Sequence, residues 1–264
     1  MTDDDFSTIG FTRDRDVLLV TIDHPRSALN AVDEALHHDL THLFGRLKRE
    51  REARAIVLTG AGRAFSAGGD FAWFPTLQDP EHLEQLRLDA RQMIFDLLDV
   101  PLPLVAAVNG AAMGLGASIA LLCDTTFMAD SAVIGDPHVR VGLVAGDGGT
   151  IAWPLALGPM MAKRFLMTGD PVDADEAVRL GLAAGSFPVG DLVSESVAFA
   201  QRLADLPPLA VQYTKQAVNA WIKAAALPAF EHASALEIVT FNSEDHVEAV
   251  AAITEKRTAD FKGR

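Results

Sequence analysis

The sequence is poor in two things, cysteine and basic residues. Its single cysteine, Cys123, excludes an intramolecular disulfide and fits a reducing compartment, so we expect a cytoplasmic protein. The formal net charge of −14 argues against nucleic acid as a partner, because a phosphate backbone requires a basic face. The sequence also lacks an HExxH spacing and a Cys/His cluster, and we therefore predict no metal site.

Long apolar segments are also scarce, with one uncharged run long enough to cross a bilayer at residues 101–123, PLPLVAAVNGAAMGLGASIALLC. Proline, asparagine and glycine interrupt this run, which favours a buried strand, a tight turn and a buried helix. We therefore expect no membrane association. Residues 1–8 lack the basic and apolar regions of a signal peptide, and we predict that they form a disordered tail.

Strand and helix patterns alternate over the first two thirds of the chain, which predicts an α/β core. The strands are predicted at VLLVTID, AIVLTG, LVAAV, TTFMAD and AVIG. Early helices are predicted to begin near Asn30, as an N-cap, and to span about 81–98. Later helices are predicted at 161–168, 173–180, 191–204, 210–226 and 243–261. The pattern divides the chain into a core over 1–204 and a helical C-terminal region over 205–264, joined at DLPPLA.

Two glycine-rich loops follow predicted strands, AFSAGGDF at 64–71 and NGAAMGLGAS at 109–118. Glycine allows a ligand to approach the backbone closely, and the helix that follows the second loop adds exposed N–H donors. Two N–H groups that converge on one oxygen form an oxyanion hole, which stabilises negative charge during acyl chemistry. The alternative is that both loops are tight turns without a chemical role.

A third segment, DPHVRVGLVAGDGGT at 136–150, combines a histidine with acidic residues and glycines. It lacks the lysine and the length of a phosphate-binding loop. His138 is a candidate general base, because the ordinary pKa of imidazole near 6.5 leaves much of it neutral at pH 7. Asp147 could orient this imidazole or cap the following helix, and His138 could instead be an inert buried histidine.

Several motifs occur in a fixed order between Val17 and Lys262: HPRSALNAV, GAGRAFSAGGDF, AAVNGAAMGLGASIALLCD, GLVAGDGGT, TGDPVDADEAVRLGL and EKRTADFK. In this order and spacing the chain resembles the crotonase (enoyl-CoA hydratase/isomerase) superfamily. The resemblance implies a spiral of ββα units with a helical C-terminal region that assembles homotrimers or hexamers. It also implies an acyl-CoA thioester substrate, which carries the coenzyme A itself, and no separate cofactor.

The resemblance assigns roles by motif position. The oxyanion-hole N–H groups would belong to Gly69 and Leu115, and Asp70 would have a structural capping role. The remaining substrate-binding positions that it implies are Arg26, Ala28, Ala67, Gly68, Ser118, Phe261 and Lys262. Arg26 could meet a CoA phosphate or be a solvated surface residue. Phe261 and Lys262 would approach CoA bound to a neighbouring subunit.

The chain departs from the hydratase pattern at two positions. Hydratases of this family use two glutamates, whereas this sequence has Ser118 and His138 in their places. Serine cannot act as a carboxylate base, so we expect His138 to replace a catalytic glutamate, with Asp147 as its helper. The His–Asp pair is similar to the β-diketone hydrolase branch, which cleaves carbon–carbon bonds without CoA, although that branch tends to carry histidine at the position of Leu115. An acyl-CoA enzyme is the leading hypothesis. A β-diketone hydrolase and a non-catalytic acyl-CoA-binding paralogue are the alternatives.

Overall fold

The computed structural model describes residues 5–264, which form two sheets and nine α-helices. The strands are β1 (Ile9–Asp14), β2 (Val17–Ile22), β3 (Ala55–Gly60), β4 (Ala64–Ser66), β5 (Leu104–Val108), β6 (Ala111–Met113), β7 (Thr125–Ala129), β8 (Val133–Gly135), β9 (Val172–Asp173) and β10 (Gly185–Phe187). The helices are α1 (Glu34–Leu47), α2 (Pro80–Asp99), α3 (Leu115–Leu122), α4 (Gly149–Leu157), α5 (Pro159–Thr168), α6 (Ala174–Leu180), α7 (Leu192–Ala204), α8 (Pro208–Phe241) and α9 (Glu244–Glu255).

The larger sheet has the strand order β1-β2-β3-β5-β7-β10, and it is parallel except for the β1–β2 hairpin. Its central strand β5, LVAAV, is buried at every residue. A continuous apolar run is what a parallel strand covered on both faces requires, and α3 and α7 pack against this strand. The α/β fold class predicted from the alternating pattern is confirmed.

The smaller sheet has the strand order β4-β6-β8-β9. Its strands β4, β6 and β8 are the short strands that follow β3, β5 and β7 of the larger sheet. Each of β3–β4, β5–β6 and β7–β8 is a strand pair that leads into a helix, which is the predicted spiral of ββα units. Strands β4, β6 and β8 run parallel to one another, so their carboxyl ends lie at the same edge. The two glycine loops and the segment that begins at Asp136 leave from this edge.

The N-terminal boundary differs from the prediction. The backbone N–H groups of Ser7 and Thr8 both donate to the Asp39 carboxylate at 2.8 Å, and Thr8 is buried. The disordered tail predicted for 1–8 is therefore wrong for these two residues, while residues 1–4 lie outside the described part of the chain. Strand β1 was also missed, because its outward side chains dilute the apolar pattern.

Helix α1 begins later than predicted, with Asp33 as its N-cap accepting from the Leu36 N–H. Asn30 is instead a buried residue with φ of 48°. Its side-chain amide donates to the Ala61 and Ala64 carbonyls, and its Oδ1 accepts from the His24 N–H. Asn30 thus ties the start of α1 to the first glycine loop.

Helix α8 is longer than the predicted 210–226, because it continues through Pro228 to Phe241. Proline usually ends a helix, since it removes one N–H and crowds the carbonyl four residues earlier. Here Pro228 and Ala224 are both exposed, so water can hydrate the freed carbonyl of Ala224. Phe230 packs into the same core as the sheets. The C-terminal region thus shares the core of residues 1–204. The division at 204/205, which assigned subunit assembly to the C-terminal region, stays a prediction.

The run at 101–123 folds into the predicted strand, β5, and the predicted helix, α3, with the short strand β6, which was not predicted, between them. Within residues 5–264, every helix is too short or too polar to cross a membrane. Cys123 packs against the core, and its thiol donates to the Ile119 carbonyl. Burial raises the pKa of this thiol far above its usual range, so it is a poor nucleophile.

Candidate active site

A cavity of about 80 Å³ lies beside the carboxyl ends of β4, β6 and β8. Gly69 and Leu115 line it from the two glycine loops, and His138 and Asp147 line it from the third segment. These are the four residues for which a catalytic role was predicted, and the structure brings them to one place. Most of the remaining wall is apolar and comes from Val32, Trp73, Phe74, Leu77, Leu83, Leu86, Ala90, Leu143, Ile238 and Phe241.

His138 begins a short 3₁₀ turn directly after β8, and its ring is held from one side by Asp136. The distance between Nδ1 of His138 and Oδ1 of Asp136 is 2.6 Å, and the Asp136 side chain is fully buried. Because a carboxylate only accepts, Nδ1 carries the proton of this bond. A Cβ on Gly114 would lie 3.2 Å from the ring Cε1, so glycine leaves room for the imidazole.

The other ring nitrogen, Nε2, faces two more carboxyl groups. Oδ2 of Asp147 is 3.5 Å away and Oε1 of Glu237, from α8, is 3.9 Å away. Asp147 does not cap the following helix, because α4 has Gly148 as its N-cap and no side-chain capping bond. The orienting partner also differs from the prediction, since Asp136 holds Nδ1 while Asp147 lies on the reactive side.

Three acidic neighbours give His138 an unusual charge state. Burial alone would lower its pKa, but the charges of Asp147 and Asp136, with the hydrogen bond to Asp136, raise the pKa of His138 well above 6.5. His138 is therefore an imidazolium at neutral pH, and the expectation of a largely neutral ring is wrong. Burial and the charge of Asp147 raise the pKa of Glu237 to about 8, against the opposing attraction of His138. Glu237 is consequently a neutral acid at pH 7.

The backbone donors on the opposite side of the cavity have distinct origins. Leu115 is the first residue of α3, so its N–H has no partner within the helix. Gly69 follows Gly68, whose φ of +87° and whose contact with the Met113 carbonyl exclude a side chain there. In the part of the chain that the structure describes, the backbone N–H groups of Gly69 and Leu115 do not donate to any backbone or side-chain acceptor.

His37 also lines the cavity, from α1. Its Nδ1 lies 3.9 Å from Oδ2 of Asp89, and its ring lies 5.3 Å from the ring of Trp73. Burial lowers the pKa of His37, and the attraction of Asp89 and Asp147 only partly offsets this effect. The cavity therefore contains one charged and one neutral histidine.

The other predicted positions lie around the site rather than in it. Arg26 is exposed and its guanidinium donates to the Asp33 carboxylate at 2.8 Å. Ala28 is exposed beside the first glycine loop, where Ala67 N–H donates to the Leu29 carbonyl.

Three further predicted residues are placed away from the cavity wall. Ser118 is fully buried behind it, and its hydroxyl has no hydrogen-bond partner in the described residues. Phe261 lines a separate surface groove with Val139 and Leu143. Lys262 is held beside α9, where its N–H donates to Asp245. Asp70 accepts from the Ala72 N–H, so it caps a turn rather than a helix.

Sequence reasoning missed Asp136, Glu237 and His37. Asp136 lies two residues before His138, a spacing that allows a side chain to hold its neighbour's ring. Glu237 lies beyond Pro228, where the helix was predicted to have ended. His37 had a signal, because it lies on the stripe of α1 that also buries Leu36 and Leu40.

Within residues 5–264, groups of three or more His, Cys, Asp or Glu side chains do not converge in a way that could hold a metal ion. The cluster around His138 instead has the composition of an acid–base site, with a cation, a neutral acid and two further acidic side chains.

Comparisons with known proteins agree with this architecture. A family model described as "Enoyl-CoA hydratase/isomerase" matches residues 12–264. The short-chain-enoyl-CoA hydratase of Clostridium acetobutylicum is 32% identical over 257 residues, which cover 94% of this chain and 95% of the relative.

Two solved structures are similar over nearly the whole length. An enoyl-CoA hydratase/isomerase from Mycobacterium paratuberculosis superimposes with a TM-score of 0.89 at 39% identity, covering 94% of this chain and 99% of the other. A β-diketone hydrolase from the cyanobacterium Anabaena, bound to (S)-3-oxocyclohexyl acetic acid, has a TM-score of 0.85 at 30% identity, covering 90% and 95%. The chain belongs to the enoyl-CoA hydratase/isomerase family, within the crotonase superfamily.

Proposed function

We propose that this protein is an acyl-CoA enzyme that performs acid–base chemistry beside the thioester carbonyl, most directly the addition of water to an enoyl-CoA. The observation that carries the proposal is the cluster at Nε2 of His138. Asp147 and Glu237 face this nitrogen in the same cavity as the free N–H groups of Gly69 and Leu115. Coenzyme A enters as part of the substrate, and the chemistry requires no separate cofactor.

The residues support a division of labour. The thioester oxygen would accept from the N–H groups of Gly69 and Leu115, which stabilise the enolate-like charge as it develops. Asp147 would take a proton from the attacking water, since one of its oxygens, Oδ1, has no partner in the described residues. The imidazolium of His138 would donate a proton to the α-carbon of the acyl chain. In this way His138 takes over work that a glutamate performs in the hydratases.

Glu237 supplies a second acid on the same side. With a pKa of about 8 it holds its proton at pH 7, so it can pass that proton to His138 after each turnover and take up in its place the proton that Asp147 removed from water. An acid and a base with different protonation states are what hydration requires, because one proton leaves water and another joins carbon. The proposed acid–base group thus keeps one of the family's two glutamate positions, at His138, and adds Asp147 and Glu237 from other positions.

The test is a turnover screen over short, medium, aryl and steroid-like enoyl-CoA substrates, with crotonyl-CoA as the reference. We expect loss of the enoyl absorbance for at least one class. Calorimetric titration with free CoA accompanies the screen. Binding of CoA without any turnover would instead support a non-catalytic acyl-CoA-binding protein.

A β-diketone hydrolase is the second candidate, and two observations favour it. The predicted His138–Asp147 contact is present at 3.5 Å, and the Anabaena β-diketone hydrolase shares the fold at 30% identity. Arg26, proposed for a CoA phosphate, is already paired with Asp33. Hydrolysis of cyclic 1,3-diketones, with no CoA binding at millimolar concentration, would select this function over the first.

We also propose that the chain assembles into trimers or hexamers through its C-terminal region. Helix α8 exposes large apolar side chains to solvent, including Tyr213, Val218, Trp221 and Val239. Such a surface is typical of a protein–protein contact. Light scattering should give three or six times the monomer mass at micromolar concentration, and a stable monomer would contradict the proposal. In such an assembly Phe261 and Lys262 could reach a neighbouring subunit's CoA.

A further inference from the structure

The ring of His37 is buried without a hydrogen bond. Its side chain is 8% exposed, and within residues 5–264 neither ring nitrogen has a hydrogen-bond partner. The closest carboxylate oxygen, Oδ2 of Asp89, is 3.9 Å from Nδ1, beyond hydrogen-bond distance. The ring lines both a cavity and a groove, and its two nitrogens are free of protein partners there, so they can form a hydrogen bond with a bound ligand.

His37 stands where the cavity meets a second space. A groove of about 270 Å³ runs between α1 and α2. His37, Trp73, Leu77 and Leu86 line both the cavity and this groove. An acyl chain whose reacting end lies at His138 would leave the cavity past these four side chains and enter the groove.

The charge state of the wall selects the kind of group that fits. Burial keeps His37 neutral at neutral pH, so it has no charge with which to attract a carboxylate. Glu34 and Asp89 line the groove and disfavour an anionic end group. Because Nδ1 is turned toward Asp89, the carboxylate favours the proton on Nδ1 and leaves Nε2 as an acceptor. An acceptor in an apolar wall needs a neutral donor, and an alcohol hydroxyl is such a donor.

We propose that His37 is the binding residue of a second substrate subsite, where its Nε2 accepts a hydrogen bond from a hydroxyl group on the acyl chain, beyond the reacting carbons. The assignment rests on the proposed acyl-CoA function for the identity of the substrate. The subsite itself rests only on His37, its shared wall and the groove, so it can be tested separately.

The first experiment needs no catalysis. Binding of p-cresol and of toluene, which differ by one hydroxyl, is measured by calorimetry on the intact protein, on His37→Leu and on His37→Gln. We expect the parent to bind p-cresol about 10- to 100-fold more tightly than toluene, because toluene leaves the imidazole unpaired. His37→Leu should abolish this preference, and His37→Gln, which keeps a side-chain acceptor, should retain part of it.

His42→Leu is the matched control, since His42 is on the same helix but is only half-buried and lines neither the cavity nor the groove. It should keep the preference of the parent. Melting temperatures of all variants identify any that fail to fold. Equal affinity of the parent for the two probes, or an undiminished preference in folded His37→Leu, would overturn the subsite.

The second experiment tests the link to the substrate. For 8-hydroxyoct-2-enoyl-CoA against oct-2-enoyl-CoA, we expect kcat/KM to favour the hydroxylated chain about 10- to 100-fold in the parent and not in His37→Leu. If neither thioester reacts while p-cresol is still preferred, the acyl-CoA function fails and the subsite stands. If both thioesters react equally well in parent and variant, the function stands and the hydroxyl assignment fails.

Discussion

Two histidines in the walls of one cavity respond to burial in opposite ways. His138 and His37 are both largely removed from water, and burial alone lowers the pKa of each. Around His138, the carboxylates of Asp136 and Asp147 lie within 4 Å and reverse the effect. Around His37, one carboxylate at 3.9 Å does not. The number and distance of acidic neighbours, more than depth of burial, set the charge of each ring.

The difference divides the cavity by function. A charged ring can give up a proton at neutral pH, which fits the proposed chemistry, whereas a neutral ring can exchange hydrogen bonds, which fits the proposed recognition of the acyl chain. The comparison therefore predicts that changes at the two rings affect different kinetic parameters.

The largest effect is expected from His138→Ala. If the imidazolium donates the proton, kcat on a responsive enoyl-CoA should fall about 100- to 10,000-fold, the usual range for general acid–base catalysis. His37→Leu should leave kcat on an unsubstituted chain nearly unchanged, because the ring does not touch the reacting atoms. Steady-state kinetics with oct-2-enoyl-CoA compares the two variants. Similar losses of kcat in both would show that the functional division is wrong.

Asp136→Asn should have the next largest effect. It keeps the shape of the group but removes the buried negative charge, so the pKa of His138 should fall. Activity that depends on the imidazolium is lost as pH rises through that pKa, and the alkaline limb of the pH–rate profile should move to lower pH. We expect kcat at pH 8 to decrease about 10-fold or more. NMR titration of the His138 ring provides the independent check, and an unmoved titration would contradict the role of Asp136.

Glu237→Gln should change the pH dependence of stability by a moderate amount. The pKa of Glu237 is about 8 in the folded chain against an ordinary value of 4.5, so the folded state holds this proton more tightly. The resulting stabilisation is complete below pH 4.5 and disappears as pH rises through 8. Glutamine has no carboxyl proton to lose, so the variant lacks this pH-dependent loss of stability. Its melting temperature should therefore fall less than that of the parent between pH 5 and pH 9. Each kcal/mol corresponds to about 2–4 °C. Parallel curves would contradict the raised pKa.

His37→Leu should give the smallest effect, with the opposite sign. The folded-state pKa of His37 is lowered, so the unfolded chain binds the proton more readily once the pH falls below 6.5. The parent should therefore lose stability on acidification from pH 7 to pH 5, and the leucine variant should lose less. Differential scanning calorimetry at both pH values measures the difference. His42→Leu, which lies outside the cavity and the groove, should behave like the parent.

Much of this arrangement was accessible from the sequence. Gly69, Leu115 and His138 each follow a short strand, and parallel strands bring their carboxyl ends together, so motif order was enough to predict one site. Asp147 was predicted to accompany His138, and it does. The full set of acidic side chains around His138 could not be predicted from the sequence, because Glu237 reaches the site through a helix that continues past Pro228.

The electrostatics could not be predicted for a related reason. The ordinary pKa of histidine describes a solvated ring, whereas the ring of His138 is surrounded by side chains that follow β8, precede α4 and lie on α8, and only the fold defines their distances. For His37, periodicity predicted a buried face but not whether that face covered a core or a cavity. The sequence pattern of one helix predicts which of its residues are buried. It does not predict which residues of other elements contact them.

The passage of α8 through Pro228 also has a consequence for the order of events during synthesis. Glu237 leaves the ribosome about 100 residues after His138, which at ordinary elongation rates is a delay of about 5–20 s. During that interval the sheets can form and place His138 beside Asp136 and Asp147, but the wall that α8 contributes is still missing. The cavity is open to water until the last quarter of the chain has been made, so a nascent or C-terminally truncated chain exposes an incomplete site.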